Sequence, residues 1–279
     1  MRSWVKRRLS NNVFSLDGET AVVTGALGRL GPVWVEALLD AGARVAALDL
    51  PDARPSEAFG RLGERFGVDR LRLLDCDITD RTAIEAVDAD ISSCFAAPTV
   101  LVNNAGIDQP ADSPDTRYPI ETMPVELFRR MIEVNLTGTF QAIQVIGGRM
   151  ARRRSGAVVN IGSLYASVSP DQRFYDHLTG ETDFLKVPSY GASKAGIVNL
   201  TKFFATLWGG AGVRVNTLSP GGVVGAQDEI FKRKYSDRVP LGRMAEAADL
   251  KGPLVFLASS AASYVTGINL RVDGGFVAW

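Results

Sequence analysis

From Thr20 onward, short runs of β-branched and other apolar residues alternate with longer stretches whose apolar residues recur at helical spacing. This alternation is typical of a parallel sheet whose strands are joined by helices. The predicted strands are Ala21–Thr24, Arg44–Asp49, Leu71–Cys76, Thr99–Val102, Ala157–Gly162, Val213–Leu218 and Asn269–Val272. The predicted helices are at about 30–41, 56–66, 80–94, 124–151, 189–209 and 246–259.

No internal repeat and no linker rich in proline, glycine or serine divides the chain, so we predict a single domain over residues 1–279. The expected fold class is α/β: a doubly wound, Rossmann-type, seven-stranded parallel sheet with helices on both faces. Three segments depart from this pattern: an N-terminal arm at 1–13, an insertion at 167–188 and a loop at 222–245. The last two follow strand ends, where such sheets bind ligands, so we expect an active-site insertion and a substrate loop.

Composition narrows the function. The 279 residues are 46% hydrophobic, and 31 basic residues balance 31 acidic ones, which argues against a basic face for nucleic acid. No apolar run approaches the roughly 20 residues that cross a bilayer, and no apolar core follows the basic N-terminus, so we expect a cytoplasmic protein with no membrane partner.

Two cysteines, Cys76 and Cys94, and the single His177 argue against a disulfide framework or a metal site. Both thiols are expected to be reduced and structural.

The segment Ala21–Gly31 is predicted to be a strand, a glycine-rich turn and the start of a helix. Glycines allow close backbone approach, and the free N–H groups of the following helix attract a pyrophosphate, although a turn that merely needs glycine is the alternative. Asp49, 24 residues after Gly25, can accept both ribose hydroxyls of an adenosine and would repel a 2′-phosphate. We therefore expect NAD as the cofactor, with NADP possible because Arg29 adds a positive charge.

Asp77 and Ile78 follow the third predicted strand. They are candidates to receive the adenine, through a carboxylate and an apolar contact. The alternative is that this pair belongs to the N-terminal cap of the next helix.

Four further motifs follow in order: Asn103–Gly106 after the fourth strand, Asn135 within a long helix, Ser163 after the fifth strand, and Tyr190-Gly191-Ala192-Ser193-Lys194. With the Thr24–Gly31 turn, they resemble the short-chain dehydrogenase/reductase family in its simple single-domain form. The resemblance covers the chain from about Phe14 to Val277. It implies an NAD(P)-dependent oxidoreductase that interconverts a secondary alcohol and a ketone by hydride transfer.

Tyr190 and Lys194 have a physical interpretation of their own. Residues at i and i+4 share a helix face, so the ammonium is expected to lie beside a phenol whose ordinary pKa is near 10. The positive charge is expected to lower the pKa of Tyr190 toward working pH, as a general acid or base requires.

The resemblance also implies a role for each catalytic residue. Tyr190 transfers a proton to or from the substrate oxygen, and Ser163 binds that oxygen. Lys194 also binds the nicotinamide ribose, and Asn135 anchors a water that relays protons to solvent. The turn at Asn103–Gly106 is expected to shape the cofactor wall.

Near the end of the chain, Ser219–Val224 resembles the family segment that passes the nicotinamide, so the backbone of Val223 or Val224 is a candidate to bond the carboxamide. The last strand resembles one that often packs across a subunit interface, which implies a homodimer or homotetramer. The residues expected to contact the cofactor are Gly25, Leu27, Gly28, Arg29, Leu30, Asp49, Asp77, Ile78, Asn104, Ala105, Gly106, Tyr190, Lys194, Pro220, Gly221 and Val223.

The chain departs from the family pattern at three places. Arg29 stands where the family usually has its second glycine, and Gly225 or Ala226 replaces a threonine that contacts the nicotinamide amide. Ser163 and Tyr190 are also 27 positions apart, more than in most relatives. The extra residues predict a polar flap suited to a sugar-like or cyclitol-like substrate, and they weakly resemble relatives from bacterial surface-sugar and flagellin-modification pathways. Its polar members include Asp171, Gln172, Arg173, Tyr175, Asp176, His177, Glu181, Asp183 and Lys186.

Other interpretations stay open at this stage. An epimerase or dehydratase that retains its NAD is one, and a non-catalytic NAD-binding regulator is another. The 167–188 segment has the alternative of a surface insertion without ligand contact. His177 is expected to be a solvated loop residue.

Overall fold

The computed structural model describes residues 12–109, 118–178 and 184–279. Within them, seven parallel strands form one sheet in the order β3-β2-β1-β4-β5-β6-β7, which confirms the predicted fold class. The strands are β1 Thr20–Thr24, β2 Arg44–Asp49, β3 Leu71–Asp75, β4 Val100–Asn103, β5 Gly156–Ile161, β6 Val213–Pro220 and β7 Asn269–Val272. Most of the predicted arm, residues 1–11, and Glu181 and Asp183 of the predicted flap lie outside the described residues.

Helices cover both faces of this sheet. They are α1 Gly31–Asp40, α2 Glu57–Phe66, α3 Arg81–Cys94, α4 Val125–Ile132, α5 Thr139–Ala142, α6 Gly148–Arg153, α7 Pro188–Trp208, α8 Glu229–Arg238 and α9 Lys251–Ala258. Side chains of α1, α2 and α9 pack with one face, whereas those of α3, α5, α6 and α7 pack with the other. Successive residues of a strand point to opposite faces, so Val22 and Val23 of β1 belong to different cores.

The order of the strands reverses between β1 and β4, which lie side by side. β1 connects outward to β2 on one side, while β4 leads to β5 on the other. In a doubly wound sheet, the loops at the C-terminal ends of strands diverge at this point and leave a crevice. The fold therefore places the turn after β1 and the segment after β4 at the same crevice.

The helix predicted at 124–151 runs from α4 to α6 through two π-helical segments, Glu133–Gly138 and Ile143–Gly147. Gly138, at the end of the first segment, makes room for a neighbour, because a Cβ there would lie 2.6 Å from Cδ1 of Ile78. π-Helical turns within α-helices are frequent at functional sites. Asn135 lies in the first of these segments.

Helix α8 corrects the sequence prediction, which treated 222–245 as a loop throughout. Asp228 caps the helix by accepting hydrogen bonds from the N–H groups of Ile230 and Phe231. The segment is highly charged, and only Phe231 and Tyr235, four residues apart, are buried. Too little of the face is apolar for a clear helical pattern in the sequence, so packing of these two rings stabilises the helix.

Within the described parts of the chain, no helix combines the length and apolar character needed to span a membrane. Both cysteines are free, but they differ in environment. Cys76 is buried, and burial raises the pKa of its thiol to about 11. Cys94 is exposed at the end of α3, so only Cys76 fits the expected structural role.

Candidate active site

A cavity of about 1310 Å³ lies at the C-terminal ends of the strands. It brings together nearly all of the residues predicted from the sequence. The predicted residues that line it are Gly25, Gly28, Arg29, Leu30, Asp49, Asp77, Ile78, Asn104, Ala105, Gly106, Ser163, Tyr190, Lys194, Pro220, Gly221 and Val223. Leu27 and Asn135 do not line it, and both act on residues that do.

The turn after β1 has the features of an anion site. Gly25 has φ of +62°, and a Cβ there would lie 2.6 Å from Cα of Ala105, so only glycine fits. Leu30 precedes α1 without a side-chain cap, and the first turn of the helix carries no acidic residue. The dipole at this helix end therefore favours a phosphate in the cavity.

Asn104 connects the turn after β1 to the end of β4. Its Nδ2 donates to the carbonyls of Thr24 (3.2 Å) and Gly25 (2.7 Å), and its Oδ1 accepts from Trp34 Nε1 at 2.7 Å. All of these bonds are to protein groups that shape the cavity wall. This geometry agrees with the expectation that the Asn103–Gly106 turn shapes the wall.

Asp49 ends β2 and is fixed in place by backbone groups. Its Oδ2 accepts from the N–H of Leu27 at 2.7 Å, and its Oδ1 accepts from the N–H of Leu50 at 2.9 Å. Leu27 thus contributes through Asp49, whose carboxylate lines the cavity.

Asp77 is not the cap of α3, which is Asp80. Its Oδ1 instead accepts from the N–H and Oγ1 of Thr79, both at 2.8 Å. Asp77 and Ile78 both line the cavity, and Asp77 also forms the turn that leads into the cap of α3, so the adenine site and the helix-cap region both stay open for this pair.

Ser163, Tyr190 and Lys194 converge on one part of the cavity. Ser163 hydrogen-bonds with the Tyr190 phenol and also accepts from the N–H of Tyr165 at 3.1 Å. Lys194 is buried on α7, and its Nζ donates to the carbonyl of Ile161 at 2.8 Å and lies 5.7 Å from the centroid of the Tyr190 ring.

The expected lowering of the pKa of Tyr190 is not found in the protein alone. Burial raises the pKa of its phenol, the Asp108 carboxylate raises it further, and the hydrogen bond with Ser163 opposes this shift. Lys194 is itself desolvated, and burial lowers the pKa of its ammonium to about 8. The desolvation of both groups therefore outweighs the attraction that their spacing suggested.

Asn135 is fully buried and lies behind the cavity wall. Its Oδ1 accepts from the N–H of Ile107 at 2.7 Å, and its Nδ2 donates to the carbonyl of Ile107 at 2.9 Å. Nδ2 also donates to Oγ of Ser193 on α7 at 3.1 Å. The side chain therefore clamps the segment after β4 to α7, whereas its expected role in anchoring water stays a prediction.

The Arg29 side chain crosses from the turn after β1 to the segment after β6. Its Nη2 donates to the carbonyl of Val223 at 2.6 Å, and Gln227 Nε2 donates to the same carbonyl at 3.1 Å. The N–H of Val224 donates to the carbonyl of Ala245 at 2.9 Å. This removes Val224 from the predicted donors to a carboxamide and leaves Val223 as the candidate.

The predicted polar flap is mostly aromatic on its inner side, where Lys186 is a polar exception. Phe174, Tyr175 and Phe184 turn inward and pack with Phe231 and Tyr235 of α8 in one aromatic cluster. Tyr175 and Phe184 line the cavity, so the alternative of an insertion without access to the ligand site is not favoured. The aromatic part of this wall was not predicted, because these rings are sparse in the sequence and meet only in the folded chain.

The outward residues pair with each other or with α8. Arg173 binds Asp171, and Lys234 of α8 binds Asp176. His177 was expected to be solvated, but its side chain is only 16% exposed and its Nε2 lies 3.0 Å from Oδ2 of Asp228. The expectation was wrong because His177 meets α8, which the sequence did not predict.

Asp108 and Lys186 lie in the cavity wall and were not predicted as a pair. Lys186 is 7% exposed, and its Nζ donates to Oδ2 of Asp108 at 2.7 Å. Lys186 had been counted only as a polar residue of the flap, and Asp108 had not been considered. The two residues are 78 positions apart, so no local pattern signals their contact.

Comparison with known proteins agrees with this geometry. Residues 25–277 match the family model described as enoyl-(acyl carrier protein) reductase. D-threitol dehydrogenase of Mycolicibacterium smegmatis is 35% identical, and the match covers 94% of each chain. The chain belongs to the short-chain dehydrogenase/reductase family. Members of this family are NAD(P)-dependent, and the present protein is an oxidoreductase that acts on CH–OH groups.

Two further relatives extend the comparison. Galactitol 2-dehydrogenase (L-tagatose-forming) of Cereibacter sphaeroides is 34% identical over 96% of this chain and 98% of the relative. A short-chain dehydrogenase of Leptospira borgpetersenii, solved with bound NAD+, has a TM-score of 0.81 and 32% identity, with 99% of each chain covered. The relatives thus match this short-chain dehydrogenase/reductase along nearly its whole length.

The residues present fit a dinucleotide. The uncapped start of α1 suits a pyrophosphate, and the Asp49 carboxylate suits ribose hydroxyls. Both line the same cavity as Tyr190 and Lys194, so one ligand can extend from the turn after β1 to the catalytic side chains.

Proposed function

We propose that this protein is an NAD-dependent dehydrogenase that interconverts a secondary alcohol and a ketone on a small polyhydroxylated substrate. The observation that carries the proposal is the convergence of Ser163, Tyr190 and Lys194 in a cavity that also contains an uncapped helix start and Asp49. The names of the D-threitol and galactitol dehydrogenases support the polyol class. The proposal treats residues 1–279 as one catalytic domain.

Tyr190 is the proposed acid and base. During oxidation of the alcohol, the Tyr190 phenolate takes the proton of the substrate hydroxyl. A nicotinamide bound in the cavity would supply the acceptor for the hydride. During reduction, the protonated phenol returns that proton to the substrate oxygen. Ser163 hydrogen-bonds with the phenol and is placed to bind the same substrate oxygen.

Lys194 and Asn135 support this chemistry by binding and positioning the groups around Tyr190. Lys194 is held by the carbonyl of Ile161, which leaves further ammonium protons for a ribose hydroxyl. Asn135 fixes Ile107 and α7, and thus the relative positions of the cavity wall and Tyr190. Its proposed water-anchoring role adds to this positioning function.

A preference for NAD over NADP is proposed from the charge of Asp49. The carboxylate is held at the cavity by two backbone N–H groups, so it does not swing away from a bound ribose. A 2′-phosphate would be repelled there. Arg29, the one feature that favoured NADP, points to Val223 instead.

A homodimer or homotetramer is also proposed. Phe203 and Leu207 on α7 are each 57% exposed, and Tyr264 before β7 is fully exposed. Phe203 and Leu207 are four residues apart and therefore share one exposed face of the helix. Contiguous exposed apolar residues are typical of protein interfaces, and light scattering after size-exclusion chromatography would measure the assembly.

The direct test is reduced-nicotinamide absorbance with NAD and NADP against neutral sugar alcohols, sugar acids, cyclitols and simple secondary alcohols. We expect turnover of a polyhydroxylated member with a preference for NAD. Turnover restricted to simple apolar alcohols would overturn the substrate class, and a preference for NADP would overturn the role of Asp49.

A further inference from the structure

The part of the cavity next to Tyr190 is largely aromatic and apolar. Leu164, Tyr165, Tyr175, Leu178 and Phe184 contribute to it from β5 onward, and Phe231, Tyr235 and Met244 contribute from the segment after β6. Such a wall binds carbon chains. The hydroxyls of Tyr165 and Tyr175 bond to each other and that of Tyr235 accepts from the N–H of Gly222, so the wall supplies few further partners for a polyol. Polar groups that interrupt this wall are therefore candidates for substrate recognition.

Lys186 is one of these polar groups, and its position is fixed. Its N–H donates to Oε1 of Gln172 at 3.0 Å, and its carbonyl accepts from Nε2 of the same residue at 3.3 Å. Its Nζ lies 5.5 Å from the centroid of the Tyr190 ring, on a side chain that is 7% exposed. A buried ammonium held this close to the reacting phenol has a defined geometry toward the substrate.

Asp108 completes the arrangement. Its Oδ2 accepts from Lys186 at 2.7 Å, and Lys186 also donates to the carbonyl of Gln109 at 3.2 Å. The Asp108 side chain is 47% exposed, and both residues line the cavity. The segment that carries Asp108 is held by the clamp between Asn135 and Ile107.

The charges of the pair favour a neutral ligand. The buried ammonium is neutralised by Asp108, whose Oδ1 also accepts from the N–H of Gln109 at 2.8 Å. The half-exposed carboxylate would repel a substrate carboxylate. A hydroxyl group, in contrast, can donate to the carboxylate and accept from the ammonium at the same time. Two further pairs line the cavity, Arg130 with Glu133 and Lys194 with Asp228; each pair adds one charge of each sign and leaves this balance unchanged.

We propose that Asp108 and Lys186 form a hydroxyl-binding pair beside Tyr190, which selects neutral substrates with a hydroxyl group close to the reacting carbon. This inference rests on the proposed function and narrows its substrate class from polyhydroxylated molecules in general to neutral polyols. The pair binds and orients the substrate, whereas Tyr190 moves the proton.

The test compares kcat/KM with NAD for threitol, for threonate and for 2-butanol. Threonate has the same carbon chain with a carboxylate, and 2-butanol lacks the additional hydroxyl groups. We expect the wild-type protein to favour threitol over both. The Asp108 charge also raises the pKa of Tyr190, which affects every substrate alike, so the effect on recognition is measured as a ratio. Asp108→Asn should lower the ratio of kcat/KM for threitol to that for 2-butanol by about thirtyfold, equal to about 2 kcal/mol.

Two further variants keep the test decisive. Asp108→Asn leaves the buried ammonium without its carboxylate, so the double variant Asp108→Asn/Lys186→Met, which removes both charges, is measured beside it. It should show the same selective loss on threitol. The matched control is Asp176→Asn/Lys234→Gln, which removes an ion pair between the same insertion and α8 but outside the cavity, and should leave all three values unchanged.

The outcomes distinguish failure of this inference from failure of the proposed function. Equal losses of kcat/KM on threitol and 2-butanol would mean that the pair merely positions Tyr190. A wild-type preference for threonate would mean that the site selects anionic substrates. Either result would overturn this inference and leave the proposed function standing. If the wild-type protein oxidises 2-butanol but neither threitol nor threonate, the proposed function fails together with this inference. Selective loss on threitol in both variants supports them both.

Discussion

Nη2 of Arg29 donates a 2.6 Å hydrogen bond to the carbonyl of Val223, and so links the turn after β1 to the segment after β6. Two departures from the family pattern meet at this contact. Arg29 replaces a glycine of the turn, and Gly225 lies where a threonine is usual. A Cβ on Gly225 would lie 2.2 Å from Arg29 Nη2, so the small residue makes room for the large one.

This contact predicts coupled effects of two substitutions. Arg29→Ala should weaken NADH binding by about tenfold, because it removes a positive charge next to the phosphate site and loosens the loop at Val223. Gly225→Ala should weaken it similarly by displacing the guanidinium. The double variant should be no worse than Arg29→Ala alone, as nicotinamide fluorescence titration would show. Additive losses would mean that the two residues act independently.

Asp49 is predicted to determine the choice of cofactor. Asp49→Asn keeps an oxygen for the N–H of Leu27 but removes the charge that repels a 2′-phosphate. The ratio of kcat/KM with NADP to that with NAD should therefore rise about tenfold or more. Asp52→Asn, at a nearby exposed residue outside the cavity, is the matched control and should leave the ratio unchanged. An unchanged ratio in Asp49→Asn would show that another residue determines the preference.

Asn135 is predicted to matter for stability as well as for turnover. Asn135→Ala removes the partners of both backbone groups of Ile107, which are partly buried beside the cavity, so the loss costs about 1–2 kcal/mol in total. The free energy of unfolding should fall by about this amount, together with kcat/KM on every substrate. A variant that loses activity but unfolds like the wild type would instead favour a role confined to the proton relay.

Lys194 is predicted to make stability depend on pH. Burial lowers the pKa of its ammonium from 10.5 to about 8, so the unfolded chain holds this proton over a pH range in which the folded chain has released it. The free energy of unfolding, relative to that of Lys194→Met, should therefore rise between these two pH values, by at most about 3 kcal/mol.

Denaturant titrations of the cofactor-free protein at about pH 8, 9 and 10 would measure this difference. The exposed Lys202 lies on the same helix, so Lys202→Met is the control and should give a constant difference. A constant difference for Lys194→Met as well would show that burial does not alter the protonation of its ammonium.

The sheet and the phosphate turn were predictable because their signals are local. Each strand is a short apolar run, and the observed strand limits differ from the predicted ones by no more than two residues. The spacing of Gly25 and Asp49 likewise follows from the order of strand, turn, helix and strand. Helical spacing predicted that Tyr190 and Lys194 lie together, whereas only the resemblance to the family implied that Ser163 joins them at one cavity.

The substrate side was not predictable in the same way. Phe174 and Phe231 pack with ring centroids 6.0 Å apart although they are distant in the sequence. The contact between Asp108 and Lys186, and the burial that raises the pKa of Tyr190, also arise only when separate segments meet. Long-range packing of this kind leaves no periodic pattern in either segment.

The central claim is that Tyr190 carries the proton in turnover. The most direct measurement compares wild-type protein, Tyr190→Phe and Tyr264→Phe, a control at a fully exposed tyrosine, by steady-state kinetics and NADH titration. We predict that Tyr190→Phe lowers kcat by about a thousandfold while its NADH affinity stays within about threefold of the wild-type value, and that Tyr264→Phe changes neither. Retention of wild-type kcat by Tyr190→Phe would contradict this account.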